Sequence, residues 1–175
     1  MRPLLVSAVL SALLLACSPP AQRDESRAPS PQAQVCNDVA PDMSRLVRVE
    51  EELAIASAAS DLRGGAIAPG VYDLTRAVRV GQARGWSEAR AVALRVAESP
   101  DGAATFDWAS AAEGGEAADR WSAGFSDAGE HPILSYTCGR MGEVAVEFTA
   151  QPGALTLRIP DGANGALQLD FQRRP

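Results

Sequence analysis

The sequence predicts a mainly β protein: an eight-stranded antiparallel up-and-down barrel behind an apolar leader and a proline-rich tether. Three observations carry that expectation. Short segments with one apolar parity follow one another from Gly64 to the C-terminus. Clusters of Gly, Pro, Asp and Asn separate them, and such residues preset or tolerate turn geometry. Tight turns join antiparallel neighbours only, and a sheet of eight short strands removes its exposed edges by closing. A two-sheet sandwich is the alternative.

Leu4 to Leu15 is a small and apolar run interrupted only by Ser7 and Ser11, with Arg2 ahead of it. It has the length of a signal-peptide core and falls short of the ~20 residues a membrane-spanning helix needs. Leu13-Leu14-Leu15-Ala16-Cys17 resembles the lipobox of bacterial lipoproteins. Residues 1–16 are therefore expected to be a leader, and Cys17 to carry acyl chains that hold the protein to a membrane. An ordinary secretory leader with an incidental cysteine is the plainer reading. More than one chain gives stable anchoring where one is marginal. Ser18 resembles a residue that permits sorting to an outer membrane rather than the inner one, in a cell that has both. Residues 17–35 are rich in Pro, Ser and Gln, too polar to offset the entropy of ordering. They read as a tether of roughly 25–40 Å.

The chain is 175 residues long and 46% hydrophobic, enough for one domain with a core. Its net charge is −6, and its strongly basic residues are all arginine with no basic cluster, which argues against nucleic acid. With Cys17 committed to lipid, Cys36 and Cys138 remain. In an exported, oxidising compartment two such thiols are expected to pair, contributing about 4–5 kcal/mol by the chain-entropy argument. Two buried free thiols are the alternative.

Residues 36–63 read as a strap. Met43, Leu46, Val49, Leu53 and Ala56 recur at helical spacing after Asp42, which favours a short helix over part of 42–60. Val47 with Val49, and Leu53 with Ile55, also fit two extended pieces. The barrel follows over 64–175. Val71–Val80 is the first strand, with Tyr72, Leu74, Val78 and Val80 on one parity and a bulge or rim expected at Arg76. Arg90–Glu98 turns Val92, Leu94 and Val96 inward. Thr105–Ser110 carries Phe106 and Trp108; Asp119–Ser126 carries Trp121, Ala123 and Phe125. Pro132–Cys138 is the fifth strand. Three clean alternations close the chain: Val144, Val146, Phe148; Leu155, Leu157, Ile159; Leu167, Leu169, Phe171.

No catalytic constellation is legible. His131 is the only histidine, and it lacks the neighbouring nucleophile and orienting acid that catalysis requires. One histidine and two paired cysteines make no usual zinc set. Asp161-Gly162-Ala163-Asn164-Gly165 has a faint calcium-loop spacing without the later bidentate acid, and it suits a hairpin turn. No cofactor, metal or catalysis is expected. Tyr72, Trp86, Phe106, Trp108, Trp121 and Phe125 are the candidate ligand-binding residues, since aromatics at a barrel mouth line apolar pockets. Plain core filling is the competing role, except for Trp86, which a Gly-containing loop would expose.

The segment Gly64-Gly65-Ala66-Ile67-Ala68-Pro69-Gly70-Val71-Tyr72-Asp73-Leu74-Thr75, with Thr137-Cys138 and Ala154-Leu155-Thr156-Leu157, resembles a group of small, uncharacterised bacterial lipoproteins. The resemblance implies a lipocalin-like barrel and says nothing of an activity. Small barrel lipoproteins that inhibit proteases are a weaker likeness, because Tyr72 stands where they have tryptophan. The expected function is an envelope-anchored module that binds a small apolar molecule or lipid; an envelope protein contacted through the loops is the other partner. Radiolabelled palmitate should enter the wild-type chain in cells and not Cys17→Ser, which should leave the membrane fraction; equal labelling would contradict the anchor.

Overall fold

The computed structural model describes residues 35–51, 62–99, 103–114 and 117–175. The leader, Cys17, most of the tether and residues 52–61 of the strap lie outside them. Ten strands form one sheet: β1 (Val49–Glu51), β2 (Gly70–Gly81), β3 (Arg90–Glu98), β4 (Ala104–Ala112), β5 (Ala117–Ser126), β6 (Ile133–Cys138), β7 (Glu143–Ala145), β8 (Glu147–Gln151), β9 (Ala154–Pro160) and β10 (Gly165–Arg173). The described residues contain no helix.

The alternating segments pair in chain order from β2 to β7 and from β8 to β10, and β10 returns to β2. All of these pairings are antiparallel. The sixth expected strand is broken at Val146. Its first half, β7, pairs with β6, and its second half, β8, pairs with β9. At the break the Val146 amide donates to the Pro132 carbonyl at 2.8 Å. One strand thus serves two neighbours in succession, and the meander closes into a barrel. Eight expected strands become nine by this division.

Inside, the inward parities meet. Leu94, Phe106, Leu134 and Leu157 are fully buried. The rings form two layers. Phe106 stacks on Phe125 at 4.9 Å, and Phe148 meets Phe125 edge-on. Nearer the other end, Trp108 stacks on Trp121 at 5.4 Å, with Phe171 and Tyr136 edge-on to the pair. Tyr72 is buried and donates its hydroxyl to the Ala68 carbonyl at 2.6 Å. Burial pushes its phenol pKa up, against a smaller opposing pull from Arg173.

The expected irregularity in β2 is a bulge at Thr75, where the register against β10 skips from Leu74 to Arg76. A bulge reverses the parity beyond it. Ala77 therefore joins Tyr72 and Leu74 in the main core, while Val78 does not. This corrects the expectation that Val78 and Val80 continue the inward face. The bulge also bends β2. Its pairing with β3 covers only Gly70–Asp73, and above that the two strands part.

The strap fills the gap. Val47 bridges Arg90 on one side, and β1 runs parallel to Ala77–Arg79 of β2 on the other. Val47 and Val49 pack on the core. The described part of the helix expected over 42–60 is not helical. Asp42 caps a turn instead, accepting from the Ser44 amide at 3.0 Å. Residues 52–60 of that expectation lie outside the described residues.

Upstream, the strap lies across the outside of the barrel. The Cys36–Cys138 disulfide forms and fixes its start. Val39 packs on Ala93 and Ala109, small outward residues that leave a trough. Arg95 bonds Asp38 and Asp107 at 2.7 Å each; these carboxylates, Asp107 foremost, raise its pKa. Arg120 donates to the Val39 carbonyl at 2.6 Å. Arg174 donates to the Ala40 carbonyl and grips the buried Asp73 at 2.6 and 2.8 Å.

Two glycines are fixed by close approach. Gly65 has φ +123°, and a Cβ there would sit 2.8 Å from the Ala150 carbonyl oxygen. Gly139 has φ +77°, and a Cβ would run into the Arg120 carbonyl. Only glycine adopts such conformations at low cost.

Candidate functional site: a tryptophan-lined cavity at one end of the barrel

Five strands present their ends to one mouth. β3 begins there with Arg90, β4 arrives with Trp108 and Ser110, and β5 leaves with Asp119 and Trp121. β9 ends there at Ile159 and Pro160, and β10 departs through Leu167 and Leu169. The β2–β3 loop adds Trp86, and the β6–β7 turn adds Arg140. Together they enclose a cavity of about 250 Å³. That lies between a void that holds benzene, ~150 Å³, and the ~300 Å³ lower bound of drug-sized pockets.

The wall is apolar with polar groups set into it. Trp86, Trp108, Trp121, Ile159, Leu167 and Leu169 supply the apolar surface. Four wall residues carry a buried polar atom with no hydrogen-bond partner among the described residues: Arg90 Nε, Trp108 Nε1, Ser110 Oγ and Trp121 Nε1. Each such atom costs roughly 1–3 kcal/mol when left unpaired, and unpaired buried groups are few in native proteins. Their concentration in one wall marks the cavity off from the rest of the core.

The rim is charged. Arg140 donates to Asp119 Oδ2 at 2.6 Å and lies over the Trp121 and Tyr136 rings, 5.6 and 5.8 Å from their centroids. Burial works against its charge, but Asp119 and Tyr136 outweigh that and hold its pKa above the ordinary value. Asp161 Oδ2 accepts from the Gly85 amide at 2.6 Å, tying the β9–β10 turn to the loop that carries Trp86. The faint calcium-loop spacing at Asp161–Gly165 is a hairpin turn closed by the Asp161 amide on the Gly165 carbonyl at 2.8 Å.

The strap supports this wall from behind. Asn37 is buried, and its carboxamide donates to the backbone carbonyls of Trp108 (3.1 Å) and Trp121 (2.9 Å). The Val47 carbonyl accepts from Trp86 Nε1 at 3.3 Å, and Val47 and Arg90 exchange both backbone hydrogen bonds.

Of the six aromatic candidates, the structure brings together Trp86, Trp108 and Trp121. Tyr72 and Phe106 are core, and Phe125 lies in the opposite layer beneath a separate surface depression. Trp86 is half-buried rather than exposed, because its indole is drawn onto Val47. His131 is exposed at the far end of the barrel, beside a broad depression lined also by Asp127, Glu130 and Phe148. Sequence reasoning missed Arg90, Ser110, Asp119 and Arg140. The first three carried a signal: each is a polar residue on the inward parity of its strand, at the end that faces this mouth.

The Ser110 hydroxyl is buried without a partner among the described residues, so Ser110→Ala should leave the unfolding free energy from urea titration unchanged or raise it by up to about 1 kcal/mol. A loss above that size would show that the hydroxyl is satisfied in the folded protein. No family model matches the chain, and no curated protein or solved structure matches it significantly.

Proposed function

We propose that this chain is an envelope lipoprotein, moored through acyl chains on Cys17, whose barrel binds a small, largely apolar molecule and catalyses nothing. The lipobox-like Leu13–Cys17 and the Pro-rich stretch after it support the mooring, and Ser18 supports an outer-membrane address. The closed meander supports the lipocalin-like reading. The observation that carries the binding role is the convergence of Trp86, Trp108 and Trp121 on one cavity, three rings from three separate elements. Such a cavity with a few polar groups is the usual form of a small-molecule site.

A second reading has one observation in its favour. Met141, beside Arg140 in the β6–β7 turn, is 95% exposed. An exposed methionine on a mouth loop suits contact with an envelope protein, in the manner of an inhibitor that acts through its loops.

Calorimetry with 2-naphthol tests the binding role. The folded domain should bind one molecule, with Kd on the order of 100 µM. Ligand at ten times Kd should add about 1.4 kcal/mol to stability. Leu167→Trp, which fills the cavity, should abolish both effects while the barrel stays folded. Unsaturable binding, or the same binding to Leu167→Trp, would overturn the assignment.

A further inference from the structure

We infer that the molecule held in this cavity is an anion: a flat apolar body carrying a carboxylate or a comparable acidic group, which pairs with Arg90. The inference rests on the binding role proposed above and specifies its chemistry. The arginines around the barrel are mostly committed. Arg95 is bound to Asp107 and Asp38, Arg140 to Asp119, and Arg174 to Asp73. Arg90 differs. Its backbone is fixed on Val47, yet its guanidinium has no hydrogen-bond or ion-pair partner among the described residues. It stands on the inward parity of β3, half-buried, in the cavity wall. A partly desolvated arginine with no carboxylate is electrostatically incomplete, and a planar acid is the group its fork fits best.

The remaining polar groups agree in sign. Trp108 Nε1 and Trp121 Nε1 are donors only, and the Ser110 hydroxyl donates as readily as it accepts. All three residues are more than nine-tenths buried, and none of these atoms has a partner among the described residues. The wall therefore offers donors in excess of acceptors. The acidic groups at the rim do not reverse this: Asp119 is bound to Arg140, and Asp161 holds the Gly85 amide. Side-chain shifts of the size common on binding bring the covered donors to a ligand. The opposite ligand charge is disfavoured on the same geometry. An aromatic cage for a cation needs free ring faces, but Trp108 and Trp121 stack on one another and Arg140 lies over Trp121.

Three naphthalene probes that differ only in charge test the inference on the folded, disulfide-bonded domain by calorimetry: 2-naphthoate, 2-naphthamide and 2-naphthylmethylammonium. The naphthoate should bind at least tenfold more tightly than the amide, and the ammonium most weakly. Arg90→Gln should bring naphthoate down to the level of the amide, and a wild-type circular dichroism spectrum and urea transition show that the variant is folded. Ser110→Ala should weaken naphthoate a few-fold and the amide less. Equal binding of naphthoate and amide, tightest binding of the ammonium, or no effect of Arg90→Gln would overturn the anion and leave the binding role standing. Failure of all three probes to bind would overturn both.

Discussion

The barrel depends on a foreign piece of wall. The bulge at Thr75 bends β2 away from β3, so their pairing stops at Asp73. Above that point the inner edges of both strands would face solvent with unpaired amides and carbonyls. Such an edge is both a loss of hydrogen bonding and a template for aggregation. Val47 and β1 supply the missing pairings, one to each side of the gap. Every feature upstream serves to keep that insert seated. The disulfide at Cys36, Val39 in its alanine trough, and the arginines at positions 95, 120 and 174 all grip residues 36–40. The Arg174 contact also neutralises Asp73, a carboxylate that burial would otherwise make costly.

The same strap connects fold to site. It contacts the backbone or indole of each tryptophan in the cavity wall, and the backbone of Arg90. A binding wall must be held by a supporting layer if its groups are to stay in place. Here that layer is a segment fixed by the domain's disulfide. The barrel interior is packed at its middle, where Leu94, Phe106 and Leu157 are fully buried, and the tryptophan-lined cavity opens at the mouth that the strap backs. Four buried polar atoms there have no partner among the described residues, a local sacrifice of stability of the kind that accompanies binding sites.

Much of the barrel was legible because alternation reports burial directly. Val92, Leu94 and Val96, and Leu155, Leu157 and Ile159, predicted their own faces. The pairing of Cys36 with Cys138 was likewise readable from the cysteine count together with the exported compartment that the leader-like sequence led one to expect. Other features depend on neighbours that a local pattern does not show. Val144, Val146 and Phe148 read as one strand, and they are one in parity, but which partner each half meets is decided by closure of the ring. Met43, Leu46 and Val49 fell at helical spacing by coincidence. Met43 and Leu46 are exposed, and only Val49 reaches the core. Among the six aromatics, sequence did not separate the three that line the cavity from the three that fill the core, because that depends on height along the barrel. Arg90, Ser110 and Asp119 would have supplied the height, as polar residues on inward parities at matching strand ends.

Amide hydrogen exchange on Cys36→Ser/Cys138→Ser against the disulfide-bonded protein tests the role of the strap most directly. If the insert completes the wall, the paired amides of Val47 and Arg90 should lose protection, and the Trp108 and Trp121 amides of the β4–β5 ladder should lose a large part of theirs with them. Free exchange at Val47 and Arg90 beside an undiminished β4–β5 ladder would show a barrel that stands without its strap, and would contradict the account.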